Sequence, residues 1–210
     1  MGIATKDLFM YKARFYLVNA ITVYRLLSAF VLLYLIANEN TLLFKWLLAL
    51  SFFTDAIDGY LARRFHVVSV AGSRIDSIAD DITVFMAVIG MQAFEATFTK
   101  THLLIMLVLL GLYLLQILLA VFKYGRTTSF HTYLAKFAAV AQGIFFVLLF
   151  FLPQPPVLLF YAAASLTILD LLEEITMVVL IRKWQPDIKG LLWMDSRNKR
   201  RRKYYTEDRI

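Results

Sequence analysis

The chain has 210 residues, 60% of them hydrophobic, and combines a formal net charge of +7 with a mean hydropathy of +0.69. So apolar a composition excludes an ordinary soluble globular domain, and apolar runs of about 20 residues, the length that crosses a bilayer as a helix, recur along the chain. Because cysteine is absent, a disulfide framework is excluded as well. We predict an all-α integral membrane protein.

Residues 1–16 alternate apolar side chains with Lys6, Lys12 and Arg14. This pattern is typical of an amphipathic helix that lies in the headgroup layer, although a soluble linker fits so short a segment equally well. No short apolar core is followed by a small-residue cleavage site, so we expect no signal peptide.

Six apolar segments follow, and they predict six transmembrane helices. Their predicted bounds are Leu17–Ala37, Thr41–Arg63, Arg74–Phe94, Thr101–Phe122, Tyr133–Leu152 and Pro156–Ile181. We therefore expect one membrane domain over residues 17–181 and a basic tail over residues 182–210. Three glycines inside the spans are predicted to mark close helix contacts, namely Gly90, Gly111 and Gly143.

Lysine and arginine are distributed unevenly between the two sides of these spans. Nearly all of them lie in the N-terminal segment, in residues 63–74, in residues 123–131 or in the tail, whereas the other side holds Lys45 and Lys100. By the positive-inside rule, we expect both termini and the aspartate-bearing ends of spans two and three to face the cytoplasm, with the chain in an inner or plasma membrane.

The tail contains the basic run Asn198–Lys203, which in isolation is compatible with binding to nucleic acid. Next to a membrane, such a run more often contacts anionic lipid headgroups or is simply solvated. No nucleic-acid-binding motif accompanies it. We expect lipids, and no nucleic acid, as partners of the tail.

Four aspartates stand in otherwise apolar sequence on the second and third spans. Asp55 and Asp58 are three residues apart and Asp76 and Asp80 four apart, so each pair shares one face of its helix. A charged side chain inside a span costs about 2.5–3.5 kcal/mol, so four carboxylates together require cations. With no cysteine and only three histidines, the donors favour Mg²⁺, Mn²⁺ or Ca²⁺ over zinc.

From the acids alone, two other interpretations stay open: structural ion pairs and the proton relay of a transporter. Residues between the two acid pairs are also compatible with a phosphate ligand. Gly59 and Gly72 lack a Cβ and permit close approach of a ligand. Arg63 follows Gly59 by about one helical turn, and its planar donor fork suits phosphate oxygens.

The full spacing, D-x2-D-G-x2-A-R-x8-G-x3-D-x3-D from Asp55 to Asp80, resembles the signature of the CDP-alcohol phosphotransferase family at every fixed position. The resemblance implies that Asp55, Asp58 and Asp76 bind two divalent cations, Mg²⁺ or Mn²⁺. It further implies that Asp80 is both a metal ligand and the catalytic base that deprotonates the acceptor hydroxyl.

The same resemblance implies a binding site for the CDP-linked lipid. The first span contains N-x2-T-x2-R ending at Arg25, which is similar to the opening motif of the family, although Val18 stands where a proline is common. The residues expected to line the nucleotide, diphosphate and lipid are Asn19, Thr22, Gly59, Ala62, Arg63, Ser69, Gly72 and Ser73.

Arg126, His131 and Lys136 occupy the loop and span where family members that use phosphorylated acceptors carry basic residues. They are candidates for binding an acceptor phosphate. Glycerol 3-phosphate is the expected acceptor, as in a phosphatidylglycerophosphate synthase; serine, an inositol phosphate and phosphatidylglycerol remain alternatives. On span six, we expect Asp170 and Glu174 to pair with Arg25 or Lys136 in preference to touching substrate.

The sequence therefore predicts an enzyme that transfers a phosphatidyl group from CDP-diacylglycerol to an acceptor hydroxyl, with release of CMP, in phospholipid biosynthesis. A homodimer is expected from the resemblance. An ion- or proton-coupled transporter is the alternative from another class, and an inactive membrane scaffold is a third. Metal-dependent CMP release distinguishes the enzyme from both.

Overall fold

The computed structural model describes residues 20–21, 23–65, 70–128, 130, 132–181 and 190–191, without the side chains of residues 58–63, 65, 70–74, 76 and 77. These residues form helices and short connections, with no strand among them. Helix α1 covers Val23–Ala37, and residues 20 and 21 before it are also helical. The helices that follow are α2 (Thr41–Phe65), α3 (Val70–Phe94), α4 (Ala96–Thr101), α5 (Leu103–Tyr124), α6 (Tyr133–Phe151) and α7 (Val157–Leu180).

Each of the six predicted spans corresponds to one long helix, and most ends agree within two residues. The third span differs, because α2 continues to Phe65 and α3 begins at Val70, so both ends of the predicted loop of about ten residues are helical; residues 66–69 lie outside the described residues. A glycine such as Gly72 costs a helix only about 1 kcal/mol relative to alanine, and it does not stop this one. The short helix α4 was not predicted.

Two of the described helices, α5 and α6, are long and apolar enough to cross a membrane. Helices α2, α3 and α7 carry several charged side chains, such as the three carboxylates within residues 170–174 of α7. Six spans and the domain bounds therefore stay a prediction. The predicted interfacial helix over residues 1–16 lies outside the described residues.

The chain divides into two compact units, the first of which is Met1–Thr101 and contains α1 to α4. Helices α2 and α3 approach closely at Gly90, where an added Cβ would stand 2.2 Å from Cζ of the buried Phe44. The Phe44 ring also packs against Phe94, with ring centroids 5.2 Å apart. This confirms the predicted helix contact at Gly90.

The second unit is His102–Ile210, and within it α7 packs against both α5 and α6. Between α6 and α7, the Gln142 amide donates to Thr167 Oγ1 at 2.6 Å. At the other contact, Lys123 Nζ donates to the carbonyls of Val178 and Val179, which are among the last carbonyls of α7. A cation at this position also complements the negative end of the helix dipole.

Candidate functional site

One buried arginine joins the two acidic helices. The Arg25 guanidinium extends from α1, and its side chain is 1% exposed. Its Nη1 lies 2.7 Å from Asp55 Oδ1 on α2, and its Nη2 donates to Asp80 Oδ1 on α3. The first and last aspartates of the signature therefore meet at a single cation, whereas the sequence had favoured the acids of α7 as partners for Arg25.

The two carboxylates remain open to a ligand although the arginine between them is buried. The Asp55 side chain is 38% exposed and that of Asp80 is 43% exposed. Arg25 thus approaches both acids from the protein interior, and a substantial part of each acid stays accessible. This is the arrangement that a cation arriving from outside requires.

The other signature residues lie on the same two helices. Gly59, Ala62 and Arg63 are on α2 with Asp58, and Gly72 and Ser73 are on α3 with Asp76. Both helices are continuous through these positions, so the predicted facial pairs Asp55–Asp58 and Asp76–Asp80 keep their helical spacing. The side chains of these signature residues, and all of Asn19, Thr22 and Ser69, lie outside the described residues.

Small hydroxyl side chains hold α1 against α2 one turn from the site. Ser28 and Ser51, both buried, lie with their Oγ atoms 3.2 Å apart. Ser28 also donates to the Arg25 carbonyl at 2.8 Å, and Ser51 donates to the Leu47 carbonyl at 2.9 Å. Small residues that satisfy one another in this way let helix backbones approach in an apolar environment.

The chemistry of these donors fits a hard divalent cation. Asp55 and Asp80 offer carboxylate oxygens, the ligand type that Mg²⁺ and Mn²⁺ prefer. That a guanidinium already bridges them shows that the pair attracts positive charge. Within the described part of the chain no group of three or more His, Cys, Asp or Glu side chains is assembled, and the side chains of Asp58 and Asp76 lie outside that part.

The predicted acceptor residues lie in the second unit. Arg126 is exposed in the connection after α5, and Lys136 is exposed on α6 with Nζ 5.4 Å from the centroid of the Tyr133 ring. His131 lies outside the described residues. A shared acceptor site for these three residues stays a prediction.

Sequence reasoning missed a buried polar contact at the start of α6. Thr132 is fully buried, and its Oγ1 accepts from the Ala135 N–H at 2.9 Å, which caps the helix. The same hydroxyl donates to Asp170 Oδ1 on α7 at 3.3 Å. A threonine just before an apolar helical run is a recognisable capping signal, but nothing in the spacing indicates a carboxylate partner 38 residues away.

Comparison with known proteins identifies the family. The family model for CDP-alcohol phosphatidyltransferase matches residues 15–180, so the chain belongs to that family. The description of the family names a phosphatidyltransferase that acts on a CDP-alcohol, and the two apolar helices α5 and α6 agree with a membrane-embedded family. Family membership favours an enzyme over the transporter.

A curated relative shares a shorter segment. The chain is 41% identical over 66 residues to a protein of Schizosaccharomyces pombe described as a cardiolipin synthase (CMP-forming) / mitochondrial hydrolase fusion protein. That segment is 31% of this chain and spans only 11% of the relative. No solved structure matches the chain.

Proposed function

We propose that this enzyme uses CDP-diacylglycerol as the phosphatidyl donor and glycerol 3-phosphate as the acceptor, with two Mg²⁺ or Mn²⁺ ions, and releases CMP. This reaction is the one that phosphatidylglycerophosphate synthases catalyse. One observation supports the site above all others: carboxylates from two different helices, Asp55 and Asp80, converge on one point while remaining partly exposed.

Each signature residue has a role in this reaction. Asp55, Asp58 and Asp76 would hold the cations, and Asp80 would contact them as well. When bound, paired divalent cations neutralise the diphosphate and stabilise the charge that develops on the leaving phosphate. Arg63 presents its donor fork to phosphate oxygens. The remaining contacts to the CDP-lipid come from Asn19, Thr22, Gly59, Ala62, Ser69, Gly72 and Ser73.

The bond changes balance without a further reactant. Asp80 accepts the proton of the acceptor hydroxyl, and the acceptor oxygen attacks the phosphorus that carries the diacylglycerol. The bond between this phosphorus and the oxygen bridging it to CMP breaks, and that oxygen leaves with the electron pair as part of CMP. Arg126, His131 and Lys136 would bind the phosphate of the acceptor by charge-assisted hydrogen bonds.

Phosphatidylglycerol is the second candidate acceptor, because the relative from Schizosaccharomyces pombe is described as a cardiolipin synthase (CMP-forming). With that acceptor the product is cardiolipin. The two candidates differ in the need for basic residues at the acceptor site, since glycerol 3-phosphate carries a phosphate monoester and phosphatidylglycerol a diester.

The deciding experiment supplies purified enzyme with CDP-diacylglycerol and Mg²⁺ or Mn²⁺, and offers glycerol 3-phosphate, phosphatidylglycerol, serine and an inositol phosphate in parallel. CMP release is measured, and the lipid product is identified by mass spectrometry. Asp80→Asn should abolish turnover. Its matched control is Asp81→Asn, the next and exposed residue of α3, which should retain it.

The outcomes separate the parts of the proposal. Absence of CMP release with every acceptor and both metals would refute CDP-diacylglycerol as the donor. Faster formation of cardiolipin than of phosphatidylglycerophosphate would make phosphatidylglycerol the acceptor, and phosphatidyl transfer from CDP-diacylglycerol would still be the reaction. Retained turnover in Asp80→Asn would remove Asp80 from the role of base.

A further inference from the structure

We propose that Arg25 is a positioning residue that serves as an exchangeable counter-cation of the metal site. Its guanidinium holds Asp55 and Asp80 while the site lacks metal, and it gives up both carboxylates when divalent cations bind. The inference rests on the proposed function in one respect, namely the assignment of these two carboxylates to metal.

The first support is the way in which the guanidinium is shared. Nη1 contacts Asp55 on α2 and Nη2 contacts Asp80 on α3, so one side chain neutralises acids on two helices. A planar fork reaches two acceptors at once in a way that a point charge does not. Without this cation the two carboxylates would repel each other at short range. Arg25 therefore keeps the ligands together before any metal arrives.

The second support is the difference in exposure. Arg25 is 1% exposed, whereas Asp55 and Asp80 are 38% and 43% exposed. The buried guanidinium lies behind the carboxylates, and it leaves their accessible side open. A cation can thus reach the exposed part of each acid, and the exchange moves the Arg25 side chain away from both carboxylates.

The third support is the charge balance after metal binding. Before the CDP-lipid binds, the four negative charges of the signature aspartates cancel the four positive charges of two dications. A guanidinium retained against the same carboxylates would be a buried excess charge next to both dications, and its repulsion in a poorly hydrated site is strong. Guanidinium and metal are therefore competitors for the same oxygens.

The backbone of α1 stays in place during such an exchange. Ser28 donates to the Arg25 carbonyl at 2.8 Å, and its Oγ lies 3.2 Å from that of Ser51 on α2. These contacts do not involve the aspartates. The exchange is thus confined to one side chain, and the helix pair that carries it persists with and without metal.

Because the guanidinium competes with metal for the carboxylates, its removal should increase the affinity for metal. Arg25→Gln removes the competitor, so Mn²⁺ should bind about tenfold more tightly than to the wild-type chain. The same change leaves the carboxylates unbalanced without metal, so the metal-free variant should unfold at a lower temperature and gain more from added Mn²⁺. A residue with only a structural role would lower the stability without increasing the affinity for metal.

Binding is measured on the purified full chain in detergent, from the paramagnetic resonance signal of free Mn²⁺, and unfolding is followed with and without Mn²⁺. Arg25→Lys keeps the charge but not the fork, and its Mn²⁺ affinity should fall between those of the wild type and Arg25→Gln. Lys45→Gln, a charge removal elsewhere on α2, is the control and should match the wild type. Equal or weaker Mn²⁺ binding by Arg25→Gln would overturn the proposal.

A measurement on the unaltered chain covers the case in which Arg25→Gln does not fold. The infrared difference spectrum between Mg²⁺-loaded and metal-free protein, with isotopically labelled arginine, should contain guanidinium bands. Their absence would overturn the exchange. Neither readout needs turnover, so an enzyme that binds Mn²⁺ as described but releases no CMP would refute the proposed donor and leave this inference standing.

Discussion

Replacing Gly90 by alanine should wedge the two acidic helices apart. The new Cβ would lie 2.2 Å from Phe44 Cζ, 1.2 Å short of the 3.4 Å at which ordinary contact begins. Phe44 has little room to yield, because it is fully buried and its ring packs against Phe94 at 5.2 Å. Overpacking costs about 1–3 kcal/mol, and the better helix propensity of alanine returns at most about 1. Because the overlap of 1.2 Å is large, we expect the upper part of this cost and a net destabilisation of about 2 kcal/mol.

Gly90→Ala should also lower the rate of catalysis, although it lies far from the aspartates. Asp55 lies eleven residues beyond Phe44 on α2, or about 16 Å at 1.5 Å per residue. Because α2 and α3 are rigid rods, a displacement at one end changes the approach of the carboxylates at the other. Misplacement of catalytic groups by about 1 Å can lower the rate by up to about a hundredfold. We therefore expect kcat to fall while the KM of the acceptor stays constant.

The assay combines thermal unfolding in detergent with CMP release. Gly111→Ala is the matched control, because no described atom lies within 4 Å of the added Cβ; this also corrects the expectation that Gly111 marks a close helix contact. Its stability should be unchanged or slightly increased. Phe44→Leu shortens the clashing side chain, so in combination with Gly90→Ala it should recover at least about 1 kcal/mol relative to the sum of the single changes. Strict additivity of the two changes would refute the steric argument.

Three further predictions concern the second unit. Thr132→Ala removes the cap of α6 and the donor to Asp170, so the free energy of unfolding should fall by about 1 kcal/mol in thermal unfolding. Thr132→Ser keeps the hydroxyl and should avoid most of this loss. Equal losses in the two variants would contradict a role for the hydroxyl. Lys136→Gln should raise the KM of a phosphorylated acceptor about tenfold or more in steady-state assays and leave the KM of CDP-diacylglycerol unchanged. An unaltered acceptor KM would show that Lys136 does not belong to the acceptor site. Because the chain has no cysteine of its own, Thr127→Cys and Gln154→Cys report topology directly. An impermeant maleimide should label only position 154 in intact cells, and the reverse pattern would invert the predicted orientation.

The helices could be predicted from the sequence because their causes are local. A long apolar run is visible in the composition, and its end is marked by residues that stop a helix. Helix α5 ends at Tyr124 because Gly125 follows in the left-handed conformation, with φ of 67°, and its N–H bonds to Val121. Helix α6 ends before the prolines that begin at Pro153. Where no such marker exists, at the start of α3, the predicted boundary was four residues late.

The candidate site could be predicted only in part. The spacing of Asp55 and Asp80 within two helical segments indicated that carboxylates from both helices converge, and the structure brings these two acids to one guanidinium. The spacing of the aspartates could not indicate which acids Arg25 contacts, since Asp170 and Glu174 were equally acceptable partners. A long-range ion pair depends on how helices pack, and that information is absent from the spacing of residues along one helix.

The amide of Gln142 and the hydroxyl of Thr167 set the depth at which α6 and α7 lie beside each other. Apolar helices can slide along one another in lipid at little cost, because one hydrocarbon surface resembles the next. A slip of one turn, about 5.4 Å, would leave this amide stranded among acyl chains. With α6 and α7 in the bilayer as predicted, this pair would favour a single alignment of the two helices.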